Sequence, residues 1–301
     1  MMKNSLLRVS TAALVALAGS IIHAETVHYD VFVTGSGGRL VIGGYDDAAT
    51  TATVPADQMR VFGGDVVPTT TAAPYESASP GEPGFRAATQ AFLNNPALTT
   101  PSGVFTALPA GTPLAFSFLP TSIGATTRNL FYWNGSGAVD FAPVAGNVSF
   151  NLTKQGGGGW TLGITGSSAA VITGTTIQVT SSGASAGTLH THLFTSIGKD
   201  NSTPDQGFYL VSLGLTMNGM VDSDPLYFVY GALDPDNLAP QFADLAAFET
   251  AHGEAELWVE GNLVAVPEPS SVALGGLGAA GLGWLGLRRR RAGRGQAPRS
   301  T

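Results

Sequence analysis

Apolar and polar residues alternate in short runs along most of the chain. In 148–153, Val148, Phe150 and Leu152 alternate with Ser149, Asn151 and Thr153; in 114–118, Leu114, Phe116 and Phe118 alternate with Ala115 and Ser117. A period of two places one side of a segment in a core and the other toward solvent, which is the pattern of a β-strand. The same reading predicts strands at 26–34, 39–45, 58–62, 113–119, 128–133, 148–153, 160–164, 170–180, 189–195, 207–217 and 226–230. Ser36-Gly37-Gly38 between the first two supplies a hairpin turn. Such short strands with Gly-rich connections predict an all-β fold, a single antiparallel β-sandwich or jelly-roll domain over residues 25–265.

Two stretches break the alternation. Residues 64–103 are rich in Pro, Thr, Ala and Gly and read as a long loop over a sheet edge. In 240–260 the period changes: Phe242, Leu245, Phe248 and Glu249, then Ala255, Leu257 and Trp258, suit one or two helices beginning near Pro240. This short C-terminal helical piece is expected to dock on the sandwich and close the domain.

Neither end of the chain follows the domain's pattern. Lys3 and Arg8 precede an apolar stretch from Ala12 to Ile22, and Ile22-His23-Ala24 completes the layout of a secretory signal peptide, residues 1–24. At the other end stand Pro267, Glu268 and Pro269, an uncharged run over 270–287, then Arg288, Arg289, Arg290 and Arg291. The prolines interrupt regular structure. The uncharged run is close to the ~17–25 residues that a membrane-spanning helix needs. The arginines stay on the cytoplasmic side and place the domain outside. Motif, span and basic cluster over 266–292 resemble the PEP-CTERM sorting signal, which implies recognition and cutting by an exosortase. The last residues, 293–301, read as a disordered basic tail. An ordinary C-terminal anchor is the alternative and leaves localisation nearly unchanged. The expected partners are the secretion translocon, the exosortase and, through the C-terminal helix before processing, the inner membrane; the destination is the cell surface or the extracellular space.

Charge and cysteine content narrow what the domain can do. Of the 14 Lys and Arg, only six lie within 25–265, against 20 of the 21 Asp and Glu, so the domain carries a net charge of −14. That surface repels nucleic acid and attracts cations. The chain has no cysteine, so disulfides, thiolate metal sites and cysteine nucleophiles are excluded.

Histidine is scarce enough to be informative. Beyond His23, the chain holds His28, His190, His192 and His252. His190-Thr191-His192 in a strand places both imidazoles on one face, able to share a metal ion through nitrogen bonds of about 2.0–2.1 Å. His28 and Asp30 stand in the same relation on the first strand, and His252 lies in the helical segment beside Glu254 and Glu256. The resulting expectation is that His28, His190 and His192 converge on one ion, with His252 or a carboxylate, Asp30 or Glu254, as fourth ligand. The alternative is that these are ordinary polar residues of a strand face. A cupin-type site is disfavoured because Ser196 and Ile197 stand where its Glu is needed.

Leu189-His190-Thr191-His192, Gly207-Phe208-Tyr209-Leu210-Val211, Ser223-Asp224-Pro225-Leu226-Tyr227-Phe228-Val229 and Glu254-Ala255-Glu256-Leu257-Trp258-Val259, with His28-Tyr29-Asp30, resemble a family of PEP-CTERM proteins repressed by a zinc-uptake regulator. That resemblance implies zinc as the bound metal and a role in its acquisition or storage under limitation. Two other functions fit the chain: a structural or adhesive component of the extracellular matrix, with polysaccharide as partner, and a secreted metal-dependent hydrolase with Glu254 as general base.

Overall fold

The computed structural model describes residues 29–45, 53–54, 59–68, 74–77, 83–94, 104–154 and 159–264. The expected signal peptide, His28 and the sorting tail lie outside the described residues. Among the described residues no helix is long and apolar enough to cross a membrane.

The chain opens with β1 (Asp30–Ser36) and β2 (Arg39–Tyr45), joined through Gly37 and Gly38, both at positive φ as a two-residue hairpin turn requires. β3 (Thr53–Val54), β4 (Val61–Pro68), β5 (Tyr75–Ser77), β6 (Gly84–Ala87) and the short helix α1 (Gln90–Leu93) follow. β7 (Pro113–Leu119), β8 (Thr121–Ile123), β9 (Thr126–Arg128), β10 (Leu130–Trp133) and β11 (Ala142–Pro143) come next. Then come β12 (Val148–Lys154), β13 (Trp160–Thr165), β14 (Ile172–Gln178), β15 (Leu189–His192) and β16 (Phe194–Lys199). The long β17 (Gly207–Met217), β18 (Leu226–Ala232) and helix α2 (Leu245–Asn262) complete the fold.

The strands form two main sheets. The smaller has the order β15-β6-β1-β2-β3. The larger runs β11-β10-β17-β18-β4-β5-β16-β12-β13, with β7 paired to the second half of β17 and β14 paired to β7. It curls until β13 nears β14, where Trp160 Nε1 donates to the Thr176 carbonyl across the gap. Inside the curl, Val31, Val33, Leu40, Ile42 and Phe85 of the small sheet meet Phe62, Phe116, Phe150 and Phe228 of the large one. The contact is aromatic: Phe85 stands edge-on to Phe116 with centroids 4.7 Å apart, and 6.1 Å from Phe228.

The opposite face of the large sheet is covered by α2. The Asp244 side chain caps this helix by accepting from the Ala247 N–H. Phe248, Ala251, His252, Ala255 and Val259 form its buried face, on Val61, Phe208, Leu210 and Val229. The outer face of the small sheet has its own cover: Phe32 and Tyr45 pack with Leu93 of α1 and with Phe105.

The mainly β architecture with a short C-terminal helix agrees with the sequence reading, and the differences are local. The 64–103 stretch is not one loop: it holds most of β4 together with β5, β6 and α1. The sheets are mixed, because β1 pairs β6 and β18 pairs β4 in parallel. The helix starts after Asp244 rather than near Pro240, and its apolar face is turned so that Leu257 is exposed while Ala251 is covered.

Phe228 packs on Phe62, Phe85 and Tyr230 and so ties the two sheets together. Phe228→Ala is expected to cost about 3–5 kcal/mol in urea unfolding, whereas Val171→Ala, at an exposed position, should change stability by less than about 0.5 kcal/mol.

Candidate functional site

β6 lies between β1 and β15. Its register aligns Phe32 with Arg86 and Arg86 with His190 in one row across the three strands. The neighbouring row is Gly84 opposite His192, with Asp30 one residue before the Val31–Phe85 pair. Asp30, His190 and His192 therefore share the outer face of the small sheet, beside the Phe32 and Tyr45 cluster.

Gly84 makes their meeting possible. A Cβ there would stand 2.5 Å from Asp30 Oδ1 and 2.9 Å from the His192 ring. With no side chain in the middle strand, the residues on either side of it reach across. The Gly84 N–H also donates to Asp30 Oδ1 at 2.7 Å and fixes that buried carboxylate. Its other oxygen, Oδ2, faces His190 Nε2 at 3.6 Å.

The two histidines complete the group. His190 Nε2 and His192 Nε2 are 3.1 Å apart, the first ring exposed and the second half-buried. Two nitrogens on one tetrahedral ion, at bonds of about 2.0–2.1 Å each, stand roughly 3.3 Å apart. The ligand atoms of Asp30, His190 and His192 all lie within 4.8 Å of one another. Arg86, in the adjoining row, places its guanidinium 3.9 Å over the Tyr45 ring. A buried carboxylate oxygen beside two imidazole nitrogens is a donor set suited to a divalent ion of the zinc type.

Of the other sequence-expected residues, His252 and Glu254 fall elsewhere. His28 lies outside the described residues. His252 is not in this group: it is buried under α2, with its Nδ1 3.5 Å from Asp65 Oδ1. Glu254 is exposed on α2 and belongs to neither group. The reason is topological, since α2 covers the large sheet whereas His190 and His192 stand on the small one. Of the two carboxylates weighed as a fourth ligand, Asp30 is the one brought to the pair. Asp65 and Glu249 carried no signal of their own in the sequence.

Gly84→Ala tests the row directly. Its Cβ must displace Asp30 or His192, so a destabilisation of about 1–3 kcal/mol is expected in chemical denaturation. The His192 imidazole resonances should shift in NMR spectra, while those of His252 stay in place.

Comparison with known proteins bears on the tail. Residues 265–291 match the family model described as the PEP-CTERM protein-sorting motif. No curated protein and no solved structure matches the chain. The matched stretch contains Pro267, Glu268, Pro269 and the four arginines. The chain thus carries a PEP-CTERM sorting motif at 265–291, which indicates an exported, cell-surface protein anchored transiently at the membrane before processing, with an exosortase as the processing partner.

Proposed function

We propose that this exported surface protein binds a divalent metal ion, zinc, and serves to acquire or store it when supply is low. The convergence of His190 Nε2, His192 Nε2 and Asp30 Oδ2 across the empty middle position of Gly84 carries the reading. Two further features support it. The domain's net charge of −14 favours cations at its surface. Its lack of cysteine leaves nitrogen and oxygen as the ligand types.

Binding, not catalysis, is the activity proposed. A hydrolase reading relied on Glu254 as general base, and that side chain is exposed on α2, outside the His190–His192 group. His190 is exposed, which suits an ion that must be taken up and released.

Calorimetric titration of the metal-free protein with zinc is expected to show binding that His190→Ala with His192→Ala removes. Affinity should fall on acidification, because protons compete for the imidazole lone pairs. Unchanged zinc binding in that double variant would reject the site, and no zinc binding by the unaltered protein would leave the matrix-component reading. Mass spectrometry of the exported protein should find termini near Glu25 and near Pro267–Ser270, and changing Glu268 to Ala should leave the tail attached.

A further inference from the structure

Asparagine followed by glycine occurs twice in the chain, at Asn134-Gly135 and Asn218-Gly219. In such a pair the side-chain carbonyl carbon and the next peptide nitrogen can close a small ring, and glycine has no side chain to shield that nitrogen. Both asparagines are exposed just past strands of the large sheet, Asn134 after β10 and Asn218 after β17. The dipeptide is the same, so a difference in reactivity belongs to the fold.

The two turns are closed differently. At Asn218 the backbone does it, with the Met220 N–H donating to the Met217 carbonyl at 3.1 Å. At Asn134 the side chain does it, accepting from the Ser136 N–H on Oδ1 at 2.9 Å. That bond folds the amide back over the Asn134–Gly135 peptide, as asparagine does when it bonds its own backbone two residues on. It also sets a donor at the oxygen where negative charge develops when a nucleophile adds to Cγ. The peptide itself is held in place. The Asn134 backbone carbonyl accepts from Gln241 Nε2 at 3.1 Å. Gly135 lies against Phe242 and Phe208, where a Cβ would come within 2.5 Å and 3.0 Å of their rings. Among the described residues nothing accepts from the Gly135 N–H.

We propose that Asn134 is a modification site that deamidates in the folded protein ahead of Asn218, with water as its co-reactant. The Gly135 nitrogen gives its proton to solvent and attacks Asn134 Cγ. A Cγ–N bond forms, the Cγ–Nδ2 bond breaks, and Nδ2 leaves as ammonia with a proton taken from solvent. A water molecule then opens the cyclic imide. Opening at Cγ restores an ordinary main chain with aspartate at position 134. Opening at the α-carbonyl leaves isoaspartate, whose main chain runs through Cγ and is longer by a carbon. An amide and a water become a carboxylate and an ammonium ion. Because the peptide nitrogen must lose its proton first, conversion speeds up as pH rises.

The longer main chain falls where there is little room. Trp133 stacks on Phe208 with centroids 5.4 Å apart, and Phe242 stands edge-on to Phe248 of α2 at 5.0 Å. An added carbon between Trp133 and Ser136 pushes Gly135 against those rings, and through Phe242 it disturbs the seat of Phe248. The site thus marks the age of a protein that works outside the cell, and its isoaspartate product loosens the helical cover of the large sheet.

The test incubates the exported protein at neutral and mildly alkaline pH and maps its peptides by mass spectrometry with detection of isoaspartate. In the folded protein Asn134 is expected to convert more than about tenfold faster than Asn218, within what an oxyanion donor supplies. In concentrated urea the two should convert at similar rates. Aged protein should melt at a lower Tm than fresh protein. Asn134→Gln, whose longer side chain closes a ring less readily, should keep its Tm on ageing. Asn134→Asp, which adds the charge without the extra carbon, should melt with fresh protein. Asn218 converting as fast as Asn134 in the folded state would overturn the proposal. An isoaspartate-containing fraction that melts with fresh protein would overturn its link to α2.

Discussion

β17 and β18 are buried on both faces, and the domain is built to keep them so. Every residue of β18 is buried and all but one of β17, so neither strand has a polar side to give to water. One face is met by the small sheet through Phe85 and Val31, the other by α2 through Phe248, Ala255 and Val259. An exported chain without cysteine has no disulfide to restrain its unfolded state. Apolar burial must supply that stability, at about 25 cal/mol per Å² removed from water. The layering of small sheet, curled large sheet and helix follows from that need.

The same layering decides where chemistry can sit. Polar clusters form where a covering element meets a sheet edge or turns polar side chains into the seam. On the small sheet this happens at the β1–β6–β15 edge, where Gly84 leaves a gap that Asp30 and His192 occupy. On the large sheet it happens under α2, where Asp65 on β4 meets His252 one helical turn from Glu249. Both groups place an imidazole against a carboxylate.

Much of this was legible in the sequence, in proportion to how local its cause was. Strict alternation marked β7 and β12, the Gly37-Gly38 turn marked the first hairpin, and the His-x-His spacing placed both rings on one face. β6 was not legible. Its four residues, Gly84-Phe85-Arg86-Ala87, carry no periodic signal and sit among prolines, so they become a strand only because β1 and β15 pair with them from far along the chain. The parallel pairing of β4 with β18 has the same non-local origin. The division of the histidines follows from it, since the sheet that receives α2 cannot be read from the helix itself. Asp65 and Glu249 were invisible for that reason: one is an acidic residue in a Gly-rich strand, the other a helical glutamate, and only docking joins them.

The junction between domain and tail shows how these parts work together. α2 ends at Asn262, and the matched sorting motif begins at 265. The end of the helix is held: Tyr227 Oη donates to the Leu263 carbonyl at 3.3 Å, and Leu263 and Val264 pack on the cluster beneath the helix. The described core is therefore complete before the sorting signal starts, and its last buried residue is Val259. Cutting within the motif removes none of the described core side chains. The helix that seals β17 and β18 is also the last described element before the sorting motif. Its grip on the sheet rests on Phe248, Ala255 and Val259 together with the polar seam of Asp65, Glu249 and His252. Apolar contact alone resists sliding weakly, because it is non-directional. Directional contacts from His252 to the Val229 carbonyl and toward Asp65 fix the helix in register, which explains why a buried polar group is kept in a face that could have been wholly apolar.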